Sequence, residues 1–142
     1  TAIVRGGFEY QGKKCSAASR CYIPSNLWDD IKKCVLEDLR TIKTGGTENF
    51  SNFINAVIDE AAFDRIAGYI EKARNNPLNE IVAGGKYDKS TGYFIEPTVI
   101  ENLPASCSTN QEAVFGYVVT LQSLDTVEEA IALATDYSYG LT

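Results

Sequence analysis

One short stretch of the chain combines a cysteine with basic and small residues, a pattern that can support nucleophilic chemistry. It reads Gly12-Lys13-Lys14-Cys15-Ser16-Ala17-Ala18-Ser19-Arg20. The thiolate is the reactive form of cysteine, and nearby positive charge favours it. Small neighbours leave room for a substrate to approach the sulfur. The stretch therefore indicates a nucleophile at Cys15, although a plain buried or surface thiol also fits this spacing.

The residues after this stretch predict the elements that position it. Residues 19–23 alternate in polarity and include aromatic and β-branched side chains, which is typical of a short strand that Pro24 ends. Ser25 is a plausible helix N-cap. One apolar face then recurs every three or four residues, which predicts a helix ending near Lys43. Its members are Trp28, Ile31, Val35, Leu39 and Ile42.

The rest of the chain alternates between strand and helix patterns. A second helix is predicted from about Asp59 to Arg74, and a third helix opens at a capping box over residues 125–128 and runs to Thr135. Val127, Ile131 and Ala134 are expected to face inward. The strand candidates are residues 80–83, 93–95, 98–100 and 114–121. This alternation predicts an α/β fold with a largely parallel sheet of four to six strands and about three main helices.

Composition limits the possible functions. The 142 residues suffice for one domain, and 44% hydrophobic with 23% charged residues is ordinary for a globular protein. The net charge is −6, and no stripe of basic residues suggests a nucleic-acid surface. No apolar run approaches the roughly 20 residues of a membrane span. We therefore expect neither a nucleic-acid nor a membrane partner.

The cysteine and histidine content narrows the chemistry further. The chain has four cysteines, without a C-x-x-C pair, and no histidine. A zinc site of the usual spacing and catalysis by a Ser-His-Asp or Cys-His set within this chain are therefore not expected. Two disulfides remain possible on numbers alone, but the moderate cysteine content favours free thiols in a reducing compartment. The cytoplasm and the mitochondrial matrix both fit.

Several ordered blocks resemble the aldehyde dehydrogenase superfamily. Residues 8–20 resemble its G-Q-x-C-x-A-x-S-R cysteine motif, and residues 92–98 its G-Y-F-x-x-P-T segment. Residues 112–118 are similar to its E-E-x-F-G-P-V segment, and residues 139–142 match a following Y-G-L-T. Residues 8–10 and 52–59 resemble the 1-pyrroline-5-carboxylate (glutamate semialdehyde) dehydrogenase branch. The resemblance covers nearly the whole chain and implies a three-layer-like α/β catalytic subdomain, with a helix running into the cysteine loop.

The resemblance also implies a mechanism. Cys15 would attack the aldehyde carbon to give a thiohemiacetal, NAD would accept a hydride, and water would hydrolyse the resulting thioester. The Cys15 main-chain N–H would serve as one oxyanion donor, and Ser16 would lie beside the substrate. The substrate would be a small aldehyde, foremost L-glutamate γ-semialdehyde, and the full-length parent would be a homo-oligomer. Lys13 and Lys14 would favour the thiolate, or would simply be solvated.

The cofactor segment departs from the family pattern. Phe115 matches the phenylalanine that packs near the nicotinamide, but Ala113 stands where the family has the glutamate that holds the NAD ribose. Alanine cannot accept a hydrogen bond from a ribose hydroxyl. Tyr117 replaces the family's proline. The cofactor-binding domain and the general-base glutamate precede the cysteine motif in the family, so residues 1–142 resemble a catalytic-domain fragment without its cofactor-binding domain.

Two interpretations therefore stay open at the sequence level. The chain is either the cysteine-bearing part of an NAD-dependent aldehyde dehydrogenase, inactive alone and unable to bind NAD alone, or a non-catalytic structural or interaction module derived from that fold. The intact cysteine motif favours the first, and Ala113 with Tyr117 favours the second. A thiol hydrolase is a third and weaker possibility, because no base partner is evident.

Overall fold

The computed structural model describes residues 1–102 and 116–136. Within them the chain forms four α-helices and six strands. The helices are α1 (Ala2–Phe8), α2 (Trp28–Thr41), α3 (Glu60–Arg74) and α4 (Val127–Thr135). The strands are β1 (Arg20–Pro24), β2 (Asn79–Ala83), β3 (Tyr87–Asp88), β4 (Phe94–Ile95), β5 (Thr98–Asn102) and β6 (Val118–Leu124). Three of the helices were predicted from periodicity, and α1 was implied by the resemblance.

The main sheet has the order β1-β6-β5-β2 and is mainly parallel. β6 pairs in parallel with both β1 and β5, and only β2 runs antiparallel, beside β5. Residues 118–122 of β6 are all buried, so both faces of this central strand are covered. Because successive strand residues point to opposite faces, this is the pattern of a sheet between two layers. The prediction of a largely parallel α/β sheet is confirmed.

α3 follows the sequence prediction closely. Asp59 caps it, since its Oδ1 accepts a hydrogen bond from the Ala62 N–H at 2.8 Å. Phe63, Ile66 and Ile70 are at most 3% exposed and form one face of the helix against the core. A short β3–β4 hairpin then pairs Tyr87 with Ile95. The sequence predicted a strand over residues 93–95, which includes β4, but it predicted no strand at β3.

Several element boundaries differ from the prediction. The N-cap of α2 is Leu27, without a side-chain hydrogen bond, rather than Ser25, and β1 extends through Pro24. Residues 114–121 were expected to form a strand, yet β6 begins at Val118 because Gly116 and Tyr117 form a bend in which the Val118 N–H donates to the Gly116 carbonyl at 2.9 Å. α2 ends at Thr41 rather than near Lys43, because Ile42 is already extended.

The start and the buried face predicted for α4 were wrong. The capping box is formed by Thr126 and Glu129, one residue later than expected, because Thr126 is the extended residue whose hydroxyl accepts the Glu129 N–H. Val127 and Ile131 were expected to face inward but are 69% and 58% exposed. Ala134, expected to face inward with them, is exposed as well. The face that carries Ala130 and Leu133 is instead half-buried, beside the end of β6.

Candidate active site

The cysteine loop, residues 9–19, connects α1 to β1. Near its start lie three consecutive residues of positive φ: Tyr10 at 55°, Gln11 at 57° and Gly12 at 64°. For a residue with a Cβ this left-handed conformation costs about 1–2 kcal/mol. Two of the three are not glycine, so the surrounding contacts must hold the loop in this shape.

Gly12 is the residue of the loop that only glycine can occupy. A Cβ there would lie 2.6 Å from the Gly116 carbonyl oxygen and 2.9 Å from the Gly7 carbonyl oxygen. Both obstacles are main-chain atoms, which cannot swing aside. The loop therefore passes directly between the end of α1 and the bend that precedes β6.

Cys15 and Ser16 occupy the two central positions of the turn that follows. The Ala17 N–H donates to the Lys14 carbonyl at 3.0 Å and closes the turn, and the Ala18 N–H donates to the Gly6 carbonyl of α1 at 3.0 Å. Both Cys15 and Ser16 are exposed. The sequence-predicted nucleophile thus lies at the tip of a turn that is fixed to α1 at its end by the Ala18 N–H, and a reagent or substrate can reach the sulfur there.

The two lysines before Cys15 differ in their surroundings. Lys14 Nζ lies 3.5 Å from Glu9 Oε2 and pairs with it at the surface. Lys13 is half-buried, and desolvation lowers the pKa of its ammonium group, while the nearby Asp59 carboxylate opposes that shift. The Lys14 charge is thus shared with Glu9. The assistance of either lysine to the thiolate stays a prediction.

The other described thiols occupy regular elements. Cys21 lies on β1 and is half-buried, and burial raises the pKa of its thiol to about 11. Cys34 is exposed on α2. Cys15, Cys21 and Cys34 are all free thiols. Cys15 and Cys34 are both exposed, so exposure does not tell which thiol is more reactive. The prediction that Cys15 is the more reactive one rests on its loop. Cys107 lies outside the described residues.

Ala113 and Phe115, the cofactor positions expected from the sequence, lie outside the described residues. The Gly84–Gly85 pair packs against Pro97, and the Gly85 N–H donates to Thr98 Oγ1 at 3.0 Å. Its main chain is therefore used within the fold.

Sequence reasoning missed a buried contact behind the cysteine loop. Tyr117 is 0% exposed, and its hydroxyl donates to the main-chain oxygen of Asn55. The Asn55 side chain in turn accepts from Gln11 Nε2 at 3.4 Å. The only signal in the sequence was the tyrosine at the position of the family's proline.

An open groove of about 550 Å³ lies apart from Cys15 and Ser16. It runs between the segment that follows α2 and the β3–β4 hairpin. Its lining residues are Thr44, Gly45, Lys86, Tyr87, Asp88, Phe94, Ile95 and Glu96. No residue of the cysteine loop lines it. The sequence did not point to this groove, whose walls join segments about 40 residues apart.

Two properties of the described residues bear on the class of site. Among residues 1–102 and 116–136 no group of three or more His, Cys, Asp and Glu side chains is arranged to hold a metal ion. No helix in the same part of the chain has both the length and the apolar character needed to cross a bilayer.

Comparisons with known proteins agree with the architecture. The profile of the aldehyde dehydrogenase family matches residues 1–142. The mitochondrial delta-1-pyrroline-5-carboxylate dehydrogenase of Dictyostelium discoideum is 42% identical over 142 residues, which are 98% of this chain and 25% of that protein. Its counterpart from Homo sapiens is 43% identical, with 100% and 26% coverage.

A solved structure shares the fold. Betaine aldehyde dehydrogenase from Staphylococcus aureus, crystallised in complex with NAD+, aligns with a TM-score of 0.88 and 33% identity over 96% of this chain and 28% of that chain. The chain therefore spans about a quarter of the length of these relatives. From the profile match over its whole length and from these identities, the chain belongs to the aldehyde dehydrogenase family.

Proposed function

We propose that this chain is the nucleophile-bearing part of an NAD-dependent aldehyde dehydrogenase whose full-length form oxidises L-glutamate γ-semialdehyde to glutamate. The observation that carries the proposal is the position of Cys15 at the exposed tip of a turn, held by a strained loop on α1. The names of the relatives from Dictyostelium discoideum and Homo sapiens support the substrate. Their description as mitochondrial favours the matrix over the cytoplasm.

Cys15 would perform the covalent step. Its thiolate attacks the aldehyde carbon, a C–S bond forms, and the carbonyl oxygen takes the electron pair of the C=O π bond and then a proton. The main-chain N–H of Cys15 would stabilise the developing charge on that oxygen. Ser16 lies at the next position of the same turn and would contact the substrate.

The Gly84–Gly85 turn offers no cradle for a pyrophosphate, since Gly84 packs against Pro97 and the Gly85 N–H donates to Thr98 Oγ1. The position of the ribose-binding glutamate is Ala113. We therefore derive no hydride step from this chain, and we propose that NAD binding needs parts of the full-length protein that these residues do not supply. The isolated chain should not turn over aldehydes.

A second function is favoured by the same two departures. With Ala113 and the buried Tyr117, the chain would keep the fold and serve as a structural or interaction module. The two proposals predict different outcomes for the full-length protein, because only the enzyme needs Cys15.

The test is NADH formation by the full-length protein that contains this chain, with glutamate γ-semialdehyde and saturating NAD. Cys15→Ser should abolish turnover, whereas Cys34→Ser, a matched change of another exposed thiol, should leave it unchanged. Turnover that survives Cys15→Ser would refute the catalytic role, and a full-length wild-type protein without turnover would favour the structural module. Cys15-dependent turnover by the 142-residue chain alone would refute its predicted inactivity.

A further inference from the structure

We propose that Tyr117, Asn55 and Gln11 are positioning residues that hold the cysteine loop in place, an inference that rests on the proposed role of Cys15. The starting point is the shape of the loop itself. Tyr10 and Gln11 both have positive φ, which side chains with a Cβ rarely adopt. A loop in this conformation keeps it only where neighbouring groups favour it over ordinary alternatives.

The contacts of Gln11 supply one such group. Its Nε2 donates to Asn55 Oδ1 at 3.4 Å, across 44 residues of sequence. Asn55 is itself fixed, because its Nδ2 donates to the Gly45 carbonyl at 2.9 Å. The Asn55 side chain thus uses its acceptor for the cysteine loop and its donor for the segment that follows α2.

Tyr117 fixes Asn55 from the other side. Its hydroxyl donates to the Asn55 main-chain oxygen, and its own carbonyl accepts the Thr98 N–H of β5 at 2.7 Å. The ring is fully buried, and burial raises the pKa of the phenol, which keeps the hydroxyl protonated as a donor. Tyr117 therefore connects Asn55 to the central strands of the sheet.

The same bend also contacts the loop directly. Gly116, the neighbour of Tyr117, presents its carbonyl oxygen to Gly12, where even a Cβ would approach to 2.6 Å. The bend thus acts on two successive residues of the loop. It contacts Gly12 directly, and it reaches Gln11 through Asn55. Cys15 follows three residues later. A small displacement of a reacting group can reduce a rate by roughly a hundredfold, so a contact that fixes this loop would matter to the chemistry.

The experiment measures amide hydrogen exchange in the 142-residue chain by NMR, with no aldehyde or NAD present. The reporters are the N–H groups of Lys13, Ala17 and Ala18, which donate within the loop or to α1. Tyr117→Phe and Gln11→Ala should each speed their exchange roughly tenfold while amides of β5 and β6 stay protected. Gln11→Ala leaves the buried tyrosine intact, so this variant still tests the inference if Tyr117→Phe does not fold.

The matched control is Tyr87→Phe. The Tyr87 hydroxyl also makes one hydrogen bond, to Glu71 Oε1 at 2.8 Å, but on the β3–β4 hairpin rather than behind the loop. This variant should leave the three reporters unchanged. Because Tyr117 and Gln11 act through one asparagine, the double variant should speed exchange by clearly less than the product of the two single effects.

Three results would overturn the inference. The first is an unchanged exchange rate of the three reporter amides in both single variants. The second is an equal acceleration of exchange in β5 and β6, which would mean only a loss of global stability, and the third is a double variant whose acceleration equals the product of the two single effects. None of them depends on the enzyme activity. Loss of the proposed function would be seen separately, as full-length turnover that survives Cys15→Ser, so the two failures are distinguishable.

Discussion

Replacing Gly12 with alanine should destabilise the fold at the point where the cysteine loop crosses between α1 and β6. The new Cβ adds the cost of a left-handed conformation, about 1–2 kcal/mol. It also meets two main-chain oxygens at 2.6 and 2.9 Å, and the shift needed to relieve such overpacking costs about 1–3 kcal/mol. The free energy of unfolding should therefore fall by about 2–5 kcal/mol, a large part of the ~5–15 kcal/mol typical of a domain.

The matched control is Gly68→Ala. Gly68 lies in α3, and a Cβ there would have no heavy atom within 4 Å. The same substitution should therefore stabilise the protein by about 0.5–1 kcal/mol, because alanine favours a helix more than glycine does. Urea denaturation of both variants gives the two free energies. If Gly12→Ala stays within about 0.5 kcal/mol of the wild type, the described packing of the loop is wrong.

Two further predictions concern the core and the sheet. Because burial raises the pKa of Cys21 from its ordinary 9.0 to about 11, its stabilising contribution is complete below pH 9 and is lost as the pH rises toward 11. In urea denaturation, the free energy of unfolding of the wild type should fall by about 3 kcal/mol more over that pH window than that of Cys21→Ala. If the two free energies change with pH in parallel, the prediction is wrong. Ile66→Ala should lower the free energy of unfolding by about 2–5 kcal/mol, because Ile66 is 0% exposed. Ile131→Ala, on the exposed face of α4, should change it by no more than about 0.5 kcal/mol. Equal losses in the two variants would contradict the observed burial.

The sequence predicted best what is decided locally. In α3 the capping Asp59 and the spacing of Phe63, Ile66 and Ile70 determine where the helix begins and which face it buries, and the structure agrees. The alternation of strands and helices likewise predicted the parallel sheet. The cysteine motif predicted Cys15 as the nucleophile. The structure places Cys15 at an exposed turn, and its catalytic role stays a prediction.

Features that depend on distant contacts were not predictable. The positive φ of Tyr10 and Gln11 has no signal in these residue types, because it follows from what the loop packs against. The Tyr117 hydroxyl meets Asn55 across 62 residues of sequence. The predicted buried face of α4 was wrong. The helix has more apolar residues than β6 can cover, and periodicity does not tell which of them the strand will bury.

The central claim is that the cysteine loop presents Cys15 as the reactive thiol of this chain. Iodoacetamide labelling of the folded protein, followed by peptide mapping over time, tests it directly. We expect Cys15 to be labelled fastest, ahead of Cys34, which is also exposed, and well ahead of the half-buried Cys21. Labelling of Cys34 or Cys107 before Cys15 would contradict the claim.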